Sequence, residues 1–174
     1  MRILFIGGTG NISTDCADVL YRRGHEISVV TRGRSPVPSH YRALQADRKD
    51  IQSLRQALGT VDYDAVINFL GYELADVEID FQLFEGRTGH YCFISTAMVY
   101  AKPHRILPIT EGLPLGNPYS DYAQKKQVCE EWLLRKWQDR RFPVTFIRPS
   151  HTYSQRWFPN VVASRGYTFA DRLE

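Results

Sequence analysis

The chain has 174 residues, 43% of them hydrophobic and 24% charged, and a formal net charge of +3, which suits one globular domain with its own core. A charge that small, with its densest basic run only Arg32-Gly33-Arg34, does not mark a nucleic-acid binder, and no stretch approaches the ~20 apolar residues of a membrane span. Cys16, Cys92 and Cys129 are scattered without metal-ligand spacing, which reads as reduced thiols in a cytoplasmic protein with no metal site.

The elements alternate along the chain. The opening MRILFIGG imitates a signal peptide, but its apolar run covers only residues 3–6 before two glycines, which predicts a strand. A helix follows at 12–23, then a strand at 27–30 after the Gly24-His25 turn, and a weaker strand at 43–46. The pattern continues with a helix at 51–58 ended by Gly59, a buried strand at 65–70, and a helix at 74–85 with Leu74, Val77, Phe81 and Phe84 at three- and four-residue spacing. A strand at 91–94, a long helix at about 120–139 capped by Asn117-Pro118 or Ser120, and a strand at 144–147 close the series. Strands rich in β-branched residues that alternate with helices predict an α/β fold. The expected architecture is a Rossmann-type doubly wound parallel sheet in three layers, strand order 3-2-1-4-5-6, with ligands at the carboxyl ends of the strands. The Pro- and Gly-containing segment 102–118 is a loop able to cover such a site.

The stretch between the first strand and the first helix, Gly7-Gly8-Thr9-Gly10-Asn11-Ile12-Ser13, has the dinucleotide fingerprint in the right context. Its glycines permit a tight turn and a close backbone approach to a pyrophosphate, and the helix N-terminus offers that anion free N–H groups. Ser13 stands where Gly or Ala is usual for helix–strand packing and adds one oxygen to Ala. Strand two runs out through Thr31-Arg32 with no acid to hold a ribose 2′-hydroxyl, whereas Arg32, helped by Arg34, is placed to meet a 2′-phosphate. That favours NADP over NAD. Asp47, just after strand three, is either an acceptor for the adenine amino group or a plain surface Asp.

Tyr122 and Lys126, at i and i+4 in YSDYAQKKQVCEE, fall on one helix face. A nearby ammonium and an oxidised nicotinamide favour a phenolate, which would lower the tyrosine's pKa and suit it to acid/base work on a carbonyl/alcohol pair. Ser95 and Thr96 follow strand five, where a hydroxyl can bond the same substrate oxygen or simply satisfy a turn.

Together, GGTGNIS, ISTAMVYA, YAQKK and IRPSHTY resemble the extended short-chain dehydrogenase/reductase superfamily, of the NAD-dependent epimerase/dehydratase type, over residues 2 to about 153. The resemblance implies an NAD(P)-dependent oxidoreductase or isomerase acting on a nucleotide sugar or a related hydroxyl/carbonyl substrate. It implies Thr96 as the catalytic hydroxyl, Tyr122 as acid/base and Lys126 as the ribose ligand that lowers the phenol's pKa. The cofactor set is Gly7, Gly10, Asn11, Ile12, Arg32, Asp47 and Leu70, with Tyr122 and Lys126. The loop Arg148-Pro149-Ser150-His151 would lie near the nicotinamide and the substrate phosphates, with His151 in place of a frequent Asn. Ala97 and Met98 stand where sugar dehydratases have Asp-Glu, which argues against dehydration, and Ala101 replaces a usual Gly.

Relatives of this type are about twice as long. The resemblance therefore implies a cofactor domain at 1–155 and, at 156–174, the start of a truncated substrate region, with Leu173-Glu174 a candidate tag scar. It also implies a homodimer through helices 74–87 and 120–139, with Phe81, Phe84, Trp132 and Trp137 as apolar surface or as partial core. Two other readings stay open. One is a non-catalytic RNA-binding protein, because the glycine loop and Thr31-Arg32 also resemble the chloroplast stem-loop-binding branch; the other is a cofactor-sensing regulator.

Overall fold

Each apolar run that predicts a strand is one in the computed structural model, which describes residues 1–153. The strands are β1 (Arg2–Ile6), β2 (Glu26–Thr31), β3 (Arg42–Gln45), β4 (Ala65–Asn68), β5 (Tyr91–Ile94) and β6 (Val144–Ile147). The helices are α1 (Asn11–Arg22), α2 (Ile51–Leu58), α3 (Leu74–Phe84) and α4 (Asp121–Arg140). The strands form one sheet in the order β3-β2-β1-β4-β5-β6, parallel throughout, as the alternating pattern predicts. The expectations for 154–174, including the substrate-region start at 156 and the scar at 173–174, lie outside the described residues.

The two faces of the sheet carry separate cores because side chains alternate along each strand. Leu4, Ile6, Val30 and Val66 meet Leu54 and Leu58 of α2, Val77 and Leu83 of α3, and Cys129 and Leu133 of α4. On the other face Ile3, Phe5, Ile27 and Val29 meet Ala17, Cys16 and Leu20 of α1. Three layers result. Asp50 caps α2 through its side chain, which accepts from the Gln52 and Ser53 amides, and Ser120 Oγ accepts from Ala123 N at the start of α4.

Two expectations shift. β4 stops at Asn68, not at 70, because Asn68 Oδ1 accepts the Leu70 amide (2.7 Å) and turns the chain out of the strand. The aromatic residues expected to offer a dimer surface are largely used within the subunit: Phe84 is core, and Phe81 packs edge-to-face on Trp132 (5.5 Å) where α3 meets α4. Trp137 stays exposed. No helix among the described residues is long and apolar enough to cross a membrane.

Leu133 is fully buried beneath α4. Leu133→Ala should therefore cost about 2–5 kcal/mol of stability in urea unfolding; a loss below about 1 kcal/mol would show that α4 does not hold its face of the sheet this way.

Candidate active site

The site begins where β1 runs out. Gly7 takes φ +85°, and a Cβ there would lie 2.4 Å from Leu70 Cγ, so the residue needs both glycine's conformation and its lack of a side chain. Gly8 is equally tight, its Cβ position 2.8 Å from Val29 Cγ1. At Gly10 the only neighbour of a Cβ would be Ser13 Oγ at an ordinary 3.5 Å, so this glycine leaves open space at the head of α1.

Ser13, the departure from the fingerprint, is buried. Its hydroxyl accepts from Gly10 N (2.9 Å) and donates to Gly10 O (3.3 Å), closing the turn before α1. The Gly10 N–H is thereby used, while the first-turn amides of Asn11 and Ile12 lack intrahelical acceptors and remain for an anion.

A cavity of about 640 Å³ opens at this turn and is lined by Gly7, Gly10, Asn11, Ile12, Arg32, Asp47 and Leu70. The fold thus gathers all seven residues expected to bind the dinucleotide outside the Tyr-Lys pair. Arg34, Arg48, Lys49, Tyr72 and Thr152 complete much of the remaining wall; the sequence reading had not assigned the last four. Thr152, just after the Arg148–His151 loop, lines the cavity, and residues 148–151 do not. Arg148 is held by Glu130 (Nη2 to Oε2, 2.6 Å) and by the Tyr100 hydroxyl (3.1 Å). These bonds fasten the end of β6 to α4, and His151 is exposed. Among the described residues no three His, Cys, Asp or Glu side chains group to hold a metal.

Thr96, Tyr122 and Lys126 do not line this cavity; Tyr72 lies between. The Tyr72 ring is on the cavity wall, with its centroid 6.4 Å from that of Tyr122 and 5.3 Å from Lys126 Nζ. Lys126 is 1% exposed and donates to the carbonyls of Gly71 (2.7 Å) and Ile94 (2.5 Å), over the Phe93 ring at 4.5 Å. It thus ties the loop after β4 to the end of β5. Thr96 Oγ1 accepts from Met98 N (3.2 Å) and caps a short 3₁₀ turn over Ala97–Val99. The hydroxyl at this strand end with no partner among the described residues is Ser95 Oγ, which is buried.

The electrostatics differ from the sequence expectation in one respect. Burial, helped by Tyr72, pushes the Tyr122 phenol above its ordinary value. Burial also pulls Lys126 down, to about 8, against the opposing pull of Cys129, Glu130 and Asp76. The lysine alone does not favour a phenolate here. That shift needs a positive charge brought by a ligand.

The family model described as NAD dependent epimerase/dehydratase family matches residues 3–170. The chain is similar to UDP-glucose 4-epimerase of Streptococcus mutans, 29% identical over a match that covers 84% of this chain and 50% of that protein. It is similar also to the chloroplast stem-loop binding protein of 41 kDa b of Arabidopsis thaliana, 28% identical over a match that covers 90% of this chain and 45% of that one. The crystal structure of UDP-glucose 4-epimerase from Bifidobacterium longum, in complex with NAD+ and UDP, shares the fold: TM-score 0.74 at 21% identity, over 85% of this chain and 52% of that one. The chain spans about half the length of the curated relatives it matches. With the fingerprint loop, the parallel sheet and the matched span in agreement, the chain belongs to the NAD dependent epimerase/dehydratase family.

Proposed function

We propose that the cavity binds a nicotinamide adenine dinucleotide, NADP(H) in preference to NAD(H). The protein would then move a hydride reversibly at a hydroxyl or carbonyl carbon of a nucleotide sugar or related substrate, as an epimerase or reductase. The observation that carries this reading is the convergence of Gly7, Gly10, Asn11, Ile12, Arg32, Asp47 and Leu70 on one cavity at the carboxyl ends of the strands. The glycine cradle fits the group: a Cβ at Gly7 would collide with Leu70, and Gly10 leaves the head of α1 open to a pyrophosphate. Arg32 and Arg34 line the cavity where β2 ends, with Asp47 on the same wall, and the residues that follow Thr31 in the chain, Arg32-Gly33-Arg34, include no acid. This is the charge pattern of a 2′-phosphate site.

The dinucleotide supplies the hydride acceptor or donor. The chain's own residues manage the proton. Tyr122, 41% exposed at the start of α4, exchanges it with the substrate oxygen. Thr96 orients that oxygen by a hydrogen bond, for which its hydroxyl proton has no acceptor among the described residues while Oγ1 accepts from Met98 N. Lys126 holds the Gly71 and Ile94 carbonyls and presents its charge beneath the Tyr122 ring, 5.9 Å from the centroid.

Titration of the protein with NADPH and NADH should show tighter binding of NADPH, and Arg32→Ala should weaken NADPH roughly tenfold or more while leaving NADH nearly unchanged, the loss of one charged hydrogen-bonding partner. Equal affinities unaffected by Arg32→Ala would remove the NADP preference. Binding of neither dinucleotide, together with steeply salt-dependent capture of a stem-loop RNA, would replace the catalytic reading by a non-catalytic one. Tyr122→Phe should lower turnover of a UDP-hexose by roughly 10²-fold or more with dinucleotide affinity retained; undiminished turnover would remove Tyr122 from the proton step.

Lys126 makes stability depend on pH. An unfolded lysine titrates at its ordinary 10.5 and the folded one at about 8, so between these values the unfolded chain binds more protons and stability rises with pH. Relative to Lys126→Met, the native protein should therefore gain stability in urea unfolding from pH 8 towards pH 10; a constant difference would mean that burial does not depress this amine.

A further inference from the structure

The two walls of the cavity come from separate turns, residues 46–49 after β3 and residues 69–73 after β4. Neither is held only by its own strand. Arg48, 6% exposed, leaves the first wall and enters the core. There its Nη1 lies 2.9 Å from Asp80 Oδ1 on α3, a charge contact without an aligned N–H, and its Nη2 donates to the Asp76 carbonyl (2.5 Å). Asp80 is fully buried. Its Oδ2 accepts from the Tyr91 hydroxyl and from Asn68 Nδ2, both at 2.5 Å. Asn68 in turn accepts the amide of Leu70 on the second wall (2.7 Å). One turn earlier on α3, Asp76 repeats the connection: Oδ1 accepts from Lys49 Nζ (2.8 Å), and Oδ2 from the amides of Tyr72 (2.9 Å) and Glu73 (3.0 Å).

A continuous polar chain therefore runs from one wall through α3 to the other. Stability does not account for it. Burying an ion pair costs several kcal/mol per charge, and well-packed apolar replacements are often neutral or better. What the hydrogen bonds around this contact supply and apolar packing does not, from Arg48 Nη2 to the Asp76 carbonyl and from Asn68, Tyr72 and Glu73 to the Asp80 and Asp76 carboxylates, is direction. They fix the Leu70 and Tyr72 amides, and Leu70 is the side chain that Gly7 must clear.

We propose that Arg48 and Asp80 are a positioning pair for the dinucleotide cavity, locking the wall at 46–49 to the wall at 69–73 and so setting cofactor affinity. The inference rests on the reading of the cavity as a dinucleotide site. The test is the double substitution Arg48→Met/Asp80→Asn, which removes both charges and leaves an amide oxygen to accept from Tyr91. The double variant should melt within a few degrees of the native protein. Its dissociation constant for NADPH should rise tenfold or more, and amide hydrogen exchange at Leu70 and Tyr72 should be faster in the cofactor-free protein. A folded double variant with native affinity and native exchange overturns the proposal. If the double variant does not fold, Arg48→Lys decides, since it keeps the charge and loses the planar fork: weakened binding at a near-native melting temperature supports the pair, and unchanged binding overturns it. Native protein that binds neither dinucleotide defeats the functional reading and the affinity claim with it, an outcome distinct from native binding that the substitutions leave unmoved.

Discussion

The close approach of Gly7 to Leu70 is the contact on which the rest of the site depends. β1 sits mid-sheet with β2 on one side and β4 on the other, and the chains leaving β1 and β4 diverge at the switch point. A crevice can open there only if the two exits touch without filling the space between them. Gly7 achieves this by having no side chain where one would lie 2.4 Å from Leu70, and by a φ of +85° that turns the chain towards α1. Gly8 does the same against Val29 on the β2 side. Everything that lines the cavity is positioned relative to these two contacts, which is why the loop between β1 and α1 has so little side-chain volume.

A crevice with one fixed side still needs the other sides placed, and α3 does this. Its buried face carries both apolar and acidic residues, Val77 and Leu83 beside Asp76 and Asp80. The apolar ones bind the sheet. The acidic ones collect the turns after β3 and β4 through Arg48, Lys49, Asn68 and backbone amides. For Asp76, burial works against the charged form, but Lys49 and the two amides outweigh it, and the carboxyl titrates below its ordinary value. For Asp80, burial prevails over Arg48, Tyr91 and Asn68, and the carboxyl is pushed up. The difference follows from the partners: Asp76 pairs with the exposed Lys49, whereas Asp80 faces only the buried Arg48, Tyr91 and Asn68.

What could be read from the sequence was what local chemistry decides. Among the described residues the period of the apolar residues places the six strands and four α-helices to within about two residues, and the fingerprint spacing places the head of α1. Seven residues of the cavity wall were within reach of the sequence because each lies near a strand end, in the fingerprint turn or at the head of α1. The polar network was not, since it joins residues 48, 68, 76, 80 and 91, whose meeting depends on strand order and helix docking, not on spacing. Arg48 and Lys49 look like an ordinary solvated pair next to Asp47. The early end of β4 was hidden for the same reason: the apolar run continues through Phe69 and Leu70, and only the side chain of Asn68, folded back on the backbone, shows where the ladder stops. The hold on Arg148 was not legible either, because its partner, Glu130, lies on α4 and is itself buried.

The acid/base pair shows how far geometry alone goes. In the protein by itself both groups are biased towards neutrality: burial raises the Tyr122 phenol and lowers the Lys126 ammonium. A buried ammonium bonded to two carbonyls has part of its charge committed before it reaches the phenol. On the proposed reading, a positively charged oxidised nicotinamide near the ring favours phenolate. Linkage then requires the converse: the phenolate form binds the oxidised dinucleotide more tightly than the phenol form does, by the same factor. On that reading the proton step and cofactor binding are one coupled equilibrium, and Tyr72, which lines the cavity and neighbours both Tyr122 and Lys126, adjoins both sides of it.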